Sequence, residues 1–318
     1  MAQIAGQGTV WNLPNYWGDL FTADMINTPF LSMIGGLTGG GMQTDNFEFP
    51  TSVEYDFKAA AQPAITETAS LTAPTANEGV RAQKKNVAQI FQQAVKLSYA
   101  KLSAQGRLSG INTQSKANNV SDELAWQIAY NLQTMARDVE YTILNGVYQI
   151  ATDAATANKT RGMLAVCDET GGTSVDASST ALEKAMIDEV LRTMHSNGAT
   201  FKNVVMWANG FQKQAVSAIY GYAPDDRNVG GVNIKQIETD FGVIGVAPAH
   251  RFMPADDILF AEMSVIKPVT QPVPGKGNFF YEELAKTGAS ENGQLYGQFG
   301  LAHGPAFMHG KIHSLATS

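Results

Sequence analysis

The stretch from Val139 to Leu164 reads VEYTILNGVYQIATDAATANKTRGML. It begins inside an amphipathic segment and breaks on Asn145-Gly146. A run of small, polar and threonine-rich residues follows, and the chain restarts on Arg161-Gly162-Met163-Leu164. Upstream, Leu124, Ile128, Leu132, Met135, Val139 and Ile143 recur at spacings of 4, 4, 3, 4 and 4, the period of one helix face. Ser121 is the expected N-cap, with Asp122 and Glu123 in the first turn, where negative charge suits the helix dipole. From Asp122 to Leu144 the helix would be about 35 Å long. Trp126, Tyr130, Arg137 and Tyr141 form a second, mixed face. No proline explains the stop, so Gly146 is expected to hold the left-handed conformation that glycine tolerates past a helix end. Gly162 is expected where the chain leaves little room for a side chain. Asn145, Gly146 and Gly162 together predict a structural hinge after a spine helix, followed by a loose loop with no catalytic residues.

Composition narrows what such a spine can serve. Only 16% of the 318 residues are charged, against the usual quarter, which suits a surface largely hidden in an assembly. The net charge of −7 argues against a protein that wraps nucleic acid, which should carry a basic excess. No run approaches the 18 or so apolar residues of a membrane span, and MAQIAGQGTV lacks the regions of a signal peptide. The one cysteine, Cys167, cannot form an internal disulfide and points to a reducing compartment. It is expected as a small apolar side chain in a strand.

Residues 1 to 42 show scattered aromatics and the glycines Gly35-Gly36 and Gly39-Gly40-Gly41. They cannot build a core and should lie as an arm on something else. The glycines precede a strand pattern, whereas a phosphate loop should follow one. In that pattern Phe47, Phe49, Val53, Tyr55 and Phe57 alternate with polar residues, with a break at Pro50. After an Ala/Thr/Pro-rich loop over residues 59 to 79, a second strand is expected from about Val87 to Leu102. The pair makes a long ribbon, marginal alone, with edges that need cover. The economical solution is that it lies on another copy. Arg81, Lys84 and Lys85, the only basic cluster, fall at its base. They are either solvated or paired with acids of a neighbouring subunit.

Downstream, a second helix is expected from Ala181 to Asn197, with Thr180 and Glu183 at capping-box spacing and Asn197-Gly198 as the stop. The strand NVVMWA follows, and Asn209 should cap a helix over Gly210 to Tyr220. The chain then turns mostly β, through VNIKQIE, GVIGVAP, DDILFAEM, NFFYEELA, QLYGQFGLA and AFMHGKIHSL. This is an α+β chain with no repeat. Of its five histidines, His309 and His313 fall in an expected strand, where residues four apart lie about 13 Å apart, too far to share a metal. The adjacent acids Asp225-Asp226, Asp256-Asp257 and Glu282-Glu283 diverge from one another and make no acid/base pair. No nucleophile elbow or Walker loop is present. The residues supply no catalytic, cofactor or metal site. An enzyme built on Thr180 to Tyr220 is the alternative from another class, without a matched set of catalytic groups.

The order of arm, ribbon, spine helix, Asn-Gly stop, loop, RGML, helix–strand–helix and closing strands resembles the major capsid protein of tailed bacteriophages, the Johnson or Hong Kong 97-type fold. EYTILNGVY followed by TRGMLAV is similar to the end of that family's spine helix passing into its axial domain. ELAKTGASENGQLYGQFGLAHGPAFMHGKI resembles the C-terminal strands of one capsid subfamily. The resemblance implies a shell subunit, not an enzyme, that self-assembles through hexamers and pentamers into an icosahedral virion head. It implies residues 1–42 as N-terminal arm, 43–102 as extended loop, 103–160 and 263–303 as peripheral domain, 161–262 as axial domain, and 304–318 as a strand returning to the axial domain. It implies inter-subunit contacts through Phe47, Phe49, Val53, Tyr55, Phe57, Arg81, Lys84 and Lys85. No cofactor or membrane is implied, packaged DNA would be touched only weakly, and assembly would take place in the host cytoplasm with a portal. The chain passes from Met1 straight into the arm, so a separate scaffolding protein is expected. Lys58 with Asn278 or Asn292 are the possible counterparts of the covalent crosslink some relatives form, but no motif marks them. An encapsulin-like nanocompartment shell is the alternative within the fold.

Overall fold

A computed structural model describes residues 27–37, 41–55, 59–76, 78–103, 107–108, 111–112, 122–220, 226–229, 232–249 and 252–317. Two sheets carry the body. In the first, the long strand Ser290–Ala302 pairs along one edge with Gln89–Ser98. Its other edge is shared by Phe279–Glu283 and Lys267–Thr270. Met42–Gln43 adds in parallel to Lys267–Thr270. The second sheet has the order Thr173–Asp176, Gly310–His313, Ile258–Glu262, Val204–Ala208, Gly242–Pro248, Val232–Thr239, Asp226–Val229.

The central strands Val204–Ala208 and Ile258–Glu262 are buried at every position because both faces are covered. Val204, Met206, Ala208, Ile258 and Phe260 face the helices Lys184–Ser196 and Gly210–Tyr220, meeting Ile187, Val190, Leu191, Met194 and Val216. Val205, Trp207, Leu259 and Ala261 face the spine helix and the first sheet, in a core that also holds Met135, Val139, Ile143, Phe91 and Phe299. Asn209 caps Gly210–Tyr220 through the Gln212 N–H at 2.9 Å. The second helix starts later than its capping-box spacing predicts. It begins at Lys184 without a side-chain cap, because the Thr180 hydroxyl donates to Ala177 O instead, at 2.6 Å. Its stop is the expected one, with Gly198 at φ +94°.

The spine helix runs Glu123–Asn145. Its cap is Asp122, which accepts from the N–H groups of Leu124 and Ala125; Ser121 lies outside the described residues. Only the C-terminal half of the expected apolar stripe is buried, at Met135, Val139 and Ile143, and Leu132 is exposed. The arm is also closer to the core than its sequence suggests. Pro29–Met33 is a short helix with Phe30 and Leu31 buried, and the Phe30 ring lies 4.9 Å from Trp207.

The expectation for Gly146 needs correction. Its φ is −59° and its ψ 136°, extended rather than left-handed. Its N–H still closes the last helical turn on Thr142 O at 2.9 Å, and its carbonyl accepts from Gly162 N–H at 2.8 Å. Glycine is required here because two backbones touch. A Cβ on Gly146 would lie under 3.0 Å from the carbonyls of Thr160 and Thr142, and one on Gly162 would lie under 3.0 Å from Gly146 N and from the carbonyls of Thr142 and Leu144. Asn145 braces the contact by donating from its side chain to Phe252 O at 2.7 Å. The loop between the two glycines is closed, not loose. Gln149 and Lys159 exchange both backbone hydrogen bonds, and Asp153 gathers the N–H groups of Ala155 and Thr156.

The second ribbon strand is Arg81–Val87, paired antiparallel with Glu48–Tyr55; the expected strand from Val87 to Leu102 instead belongs to the first sheet, as Gln89–Ser98. Near the end of the ribbon strand lies Asn86, fully buried. Its Nδ2 donates to Leu301 O at 2.8 Å and Arg161 O at 3.2 Å. Its Oδ1 accepts from Arg161 N at 2.8 Å and Val87 N at 2.9 Å. Every hydrogen-bonding position of the amide is used.

Two outcomes test these joints. Gly146→Ala should destabilise the subunit by more than the roughly 1 kcal/mol of an ordinary substitution, whereas Gly210→Ala, where a Cβ meets nothing within 4 Å, should fall short of that; denaturant titration of each variant reads the difference. Asn86→Ala strands the Arg161 N–H and C=O in a buried site, at a cost of about 1–3 kcal/mol, measured the same way.

Candidate assembly surfaces

The ribbon is built in two parts. At its root Phe49 is buried with Ala88, Val269 and Ala302, and Phe47 packs half-buried against them. The Phe49 ring fills the space that a side chain on Gly300 would take. Phe49 thus serves the chain's own core. Pro50, which has no N–H to give the ladder, marks a register shift between Pro50 and Ser52, and beyond it the strand is in solvent. Val53 and Tyr55 are each 60% exposed. Phe57 and Lys58 lie outside the described residues. The following loop carries a single turn, Glu67–Ser70, capped by the Thr66 hydroxyl, and exposes Ile65, Leu71 and Val80 almost completely.

The basic cluster lies along the second ribbon strand, with Lys84 and Lys85 next to its root at Asn86–Val87 and Arg81 farther out. Lys85 pairs with Glu48 of the same ribbon at 2.9 Å, and that carboxylate raises the Lys85 pKa. Arg81 lies opposite Tyr55 and Lys84 opposite Ser52; Arg81 is exposed and Lys84 half-buried. Of the acidic pairs, Glu282 is held by Lys276, which lowers its pKa. Asp257 is raised by burial and by Asp256 beside it. A second apolar surface lies on the outer half of the spine helix, where Trp126 stacks on Tyr130 at 5.6 Å beside exposed Leu132.

The buried polar residues are structural. Glu262 accepts from the N–H groups of Lys202, Asn203 and Ser264. His309 accepts from Glu262 N at Nδ1 and meets His303 O at Nε2, 2.6 Å away. It precedes the strand Gly310–His313 rather than lying in it. Burial holds His309 down to about 4 and His303 to about 3, so both are neutral fillers of the core. Cys167 caps the short helix Met163–Val166 rather than sitting in a strand, and burial pushes its thiol far up. Among the described residues no group of three or more His, Cys, Asp or Glu side chains could hold a metal ion, and no helix is long and apolar enough to cross a membrane. Asn86, Glu140, Glu262 and His309 escape a reading of the sequence because their partners are remote along the chain; a lone polar residue inside an apolar run, as at Glu262, is the one local sign.

The fold recurs in viral shells. The chain aligns with the subunit of the cyanophage A-1(L) capsid at a TM-score of 0.63 and 10% identity, over 96% of this chain and 98% of that one. The capsid of a native GTA particle gives 0.60 and 12%, over 99% of both chains. The holo-SrpI encapsulin complex from Synechococcus elongatus PCC 7942 gives 0.58 and 13%, over 95% and 93%. No curated protein matches in sequence. At these identities the structural likeness establishes the Hong Kong 97-type fold alone. The sequence model of the SU10 major capsid protein matches residues 3–316. A Hong Kong 97-type body and a family match over nearly its whole length make this chain a member of the SU10 major capsid protein family, a subunit of the phage head shell.

Proposed function

We propose that this subunit assembles through hexamers and pentamers into an icosahedral head around packaged double-stranded DNA, and that its ribbon lies across a neighbouring subunit. The observation that carries this reading is the exposure of Val53, Tyr55, Ile65, Leu71 and Val80 on a two-stranded projection, which cannot bury them itself. In this reading the extended loop ends near Val87, and Gln89–Ser98 belongs to the peripheral domain. Phe47 and Phe49 anchor the ribbon, while Val53, Tyr55 and the loop tip contact the neighbour, with Phe57 as a further proposed contact. Asn145, Gly146 and Gly162 join the peripheral domain to the axial one. With a net charge of −7, the subunit touches DNA weakly. A separate scaffolding protein and a portal complete the head in the host cytoplasm. The encapsulin likeness favours a second reading, a shell around protein cargo.

Electron microscopy of native particles tests the proposal. Icosahedral shells holding nuclease-protected DNA are expected; shells holding protein instead would establish the second reading. Replacing Ile65, Leu71 and Val80 together with Ser should leave circular dichroism and thermal unfolding of the subunit unchanged yet abolish closed shells. Reversing Arg81 and Lys84 to Glu should slow assembly most at low ionic strength, where charges separated by about 10 Å or less are least screened. A salt-independent loss, seen by light scattering, would assign those residues a packing role.

A further inference from the structure

Glu140 is fully buried in the spine helix, and among the described residues no cation is paired with it. Its two carboxyl oxygens accept from the backbone N–H groups of Phe30 at 2.9 Å and Leu31 at 2.6 Å. These donors belong to Pro29–Met33, the piece of the N-terminal arm inserted between spine helix and axial sheet. The surrounding elements bring no counter-charge to the carboxyl. Pro29–Met33 and Met163–Val166 contain no ionisable side chain, and the thiol that follows, Cys167, is buried. On the spine helix itself Arg137 is turned over the Phe252 ring, and Asp138 meets Gln93. The packed strands Gln89–Ser98 and Ser290–Ala302 carry Lys96, Glu291 and Tyr296. None of these acts on Glu140, whose environment consists of burial and the two amides.

We propose that Glu140 is a proton-linked clasp for the N-terminal arm, so that docking of Pro29–Met33 against the spine helix and proton uptake by this carboxyl are coupled. The arm itself buries the carboxyl. When the arm lifts away, Glu140 regains water and the proton affinity of an ordinary glutamate. When it docks, desolvation outweighs the two hydrogen bonds and pushes the pKa up to about 7 from 4.5. The docked state therefore holds a proton that the open state gives up. The sign follows from this difference: docking is tightest at or below about pH 4.5, weakens as pH rises, and has lost this contribution above about pH 7. Inside that window each pH unit changes the docking equilibrium by up to tenfold.

Hydrogen exchange of the full-length subunit tests the clasp. The readout is the protection of a peptide spanning Phe30 to Ile34 from pH 5 to 8, corrected for the intrinsic chemical rate. Protection should fall at least about tenfold between pH 5 and 7 and then level off, while a spine-helix peptide containing Val139 and Ile143 stays flat. Glu140→Gln, neutral at every pH, should abolish the step. A flat wild-type profile would overturn the proposal, whether or not the variant folds. So would an unchanged step in Glu140→Gln. Particles and unassembled subunits should show the same step, because the clasp lies within one chain.

Discussion

The side-chain amide of Asn86 is where three distant stretches of chain become one body. It ties the ribbon root at Val87, the peptide of Arg161 beyond the spine helix, and the strand through Leu301. A buried amide is tolerable only when all its donors and acceptors are met. Here the partners are backbone groups whose positions depend on the rest of the fold. Thr160 reinforces the joint, its hydroxyl bonding to Val87 O and its N–H to Gln89. The ribbon therefore leaves the body at a fixed direction, although Val53 and Tyr55 farther along it are exposed.

Around that joint the packing is continuous. One core runs from the arm helix through the spine helix to Trp207 and Leu259, and the opposite face of the seven-stranded sheet holds another. The two glycines bring the end of the spine helix against the start of the next segment with no side chain between them. Close-packed interiors transmit displacement rather than absorb it, so a shift of the spine helix end is passed directly to the segment around Gly162.

The parts of this fold that are legible in the sequence are those set by local pattern. The spine helix shows in the spacing of Met135, Val139 and Ile143, the helix stop in Gly198, and the buried strand in VVMWA. The ribbon was half legible. Its first strand alternates visibly, but the partner strand was misplaced, because Arg81–Val87 is polar and Gln89–Ser98 has the stronger alternation. That alternation belongs to a strand with one buried face in the body. Gly146 misled for a related reason. A helix-ending glycine usually signals a left-handed turn, and nothing local reveals that Gly162 will lie against it. The outer half of the spine helix reads as core because Leu132 continues the stripe, although among the described residues it stays exposed. Contacts within one turn or one strand leave a periodic trace, and contacts across a hundred residues do not.

The order of the seven-stranded sheet bears on when the subunit can fold. Thr173–Asp176 has a single sheet partner, Gly310–His313, and that strand also pairs with Ile258–Glu262. Thr173–Asp176 therefore waits for a strand far downstream in the chain. Pairing across so large a sequence separation carries a high loop-closure cost and is slow. Until Gly310–His313 has been made, a growing chain lacks the strand that joins Thr173–Asp176 to the rest of the sheet.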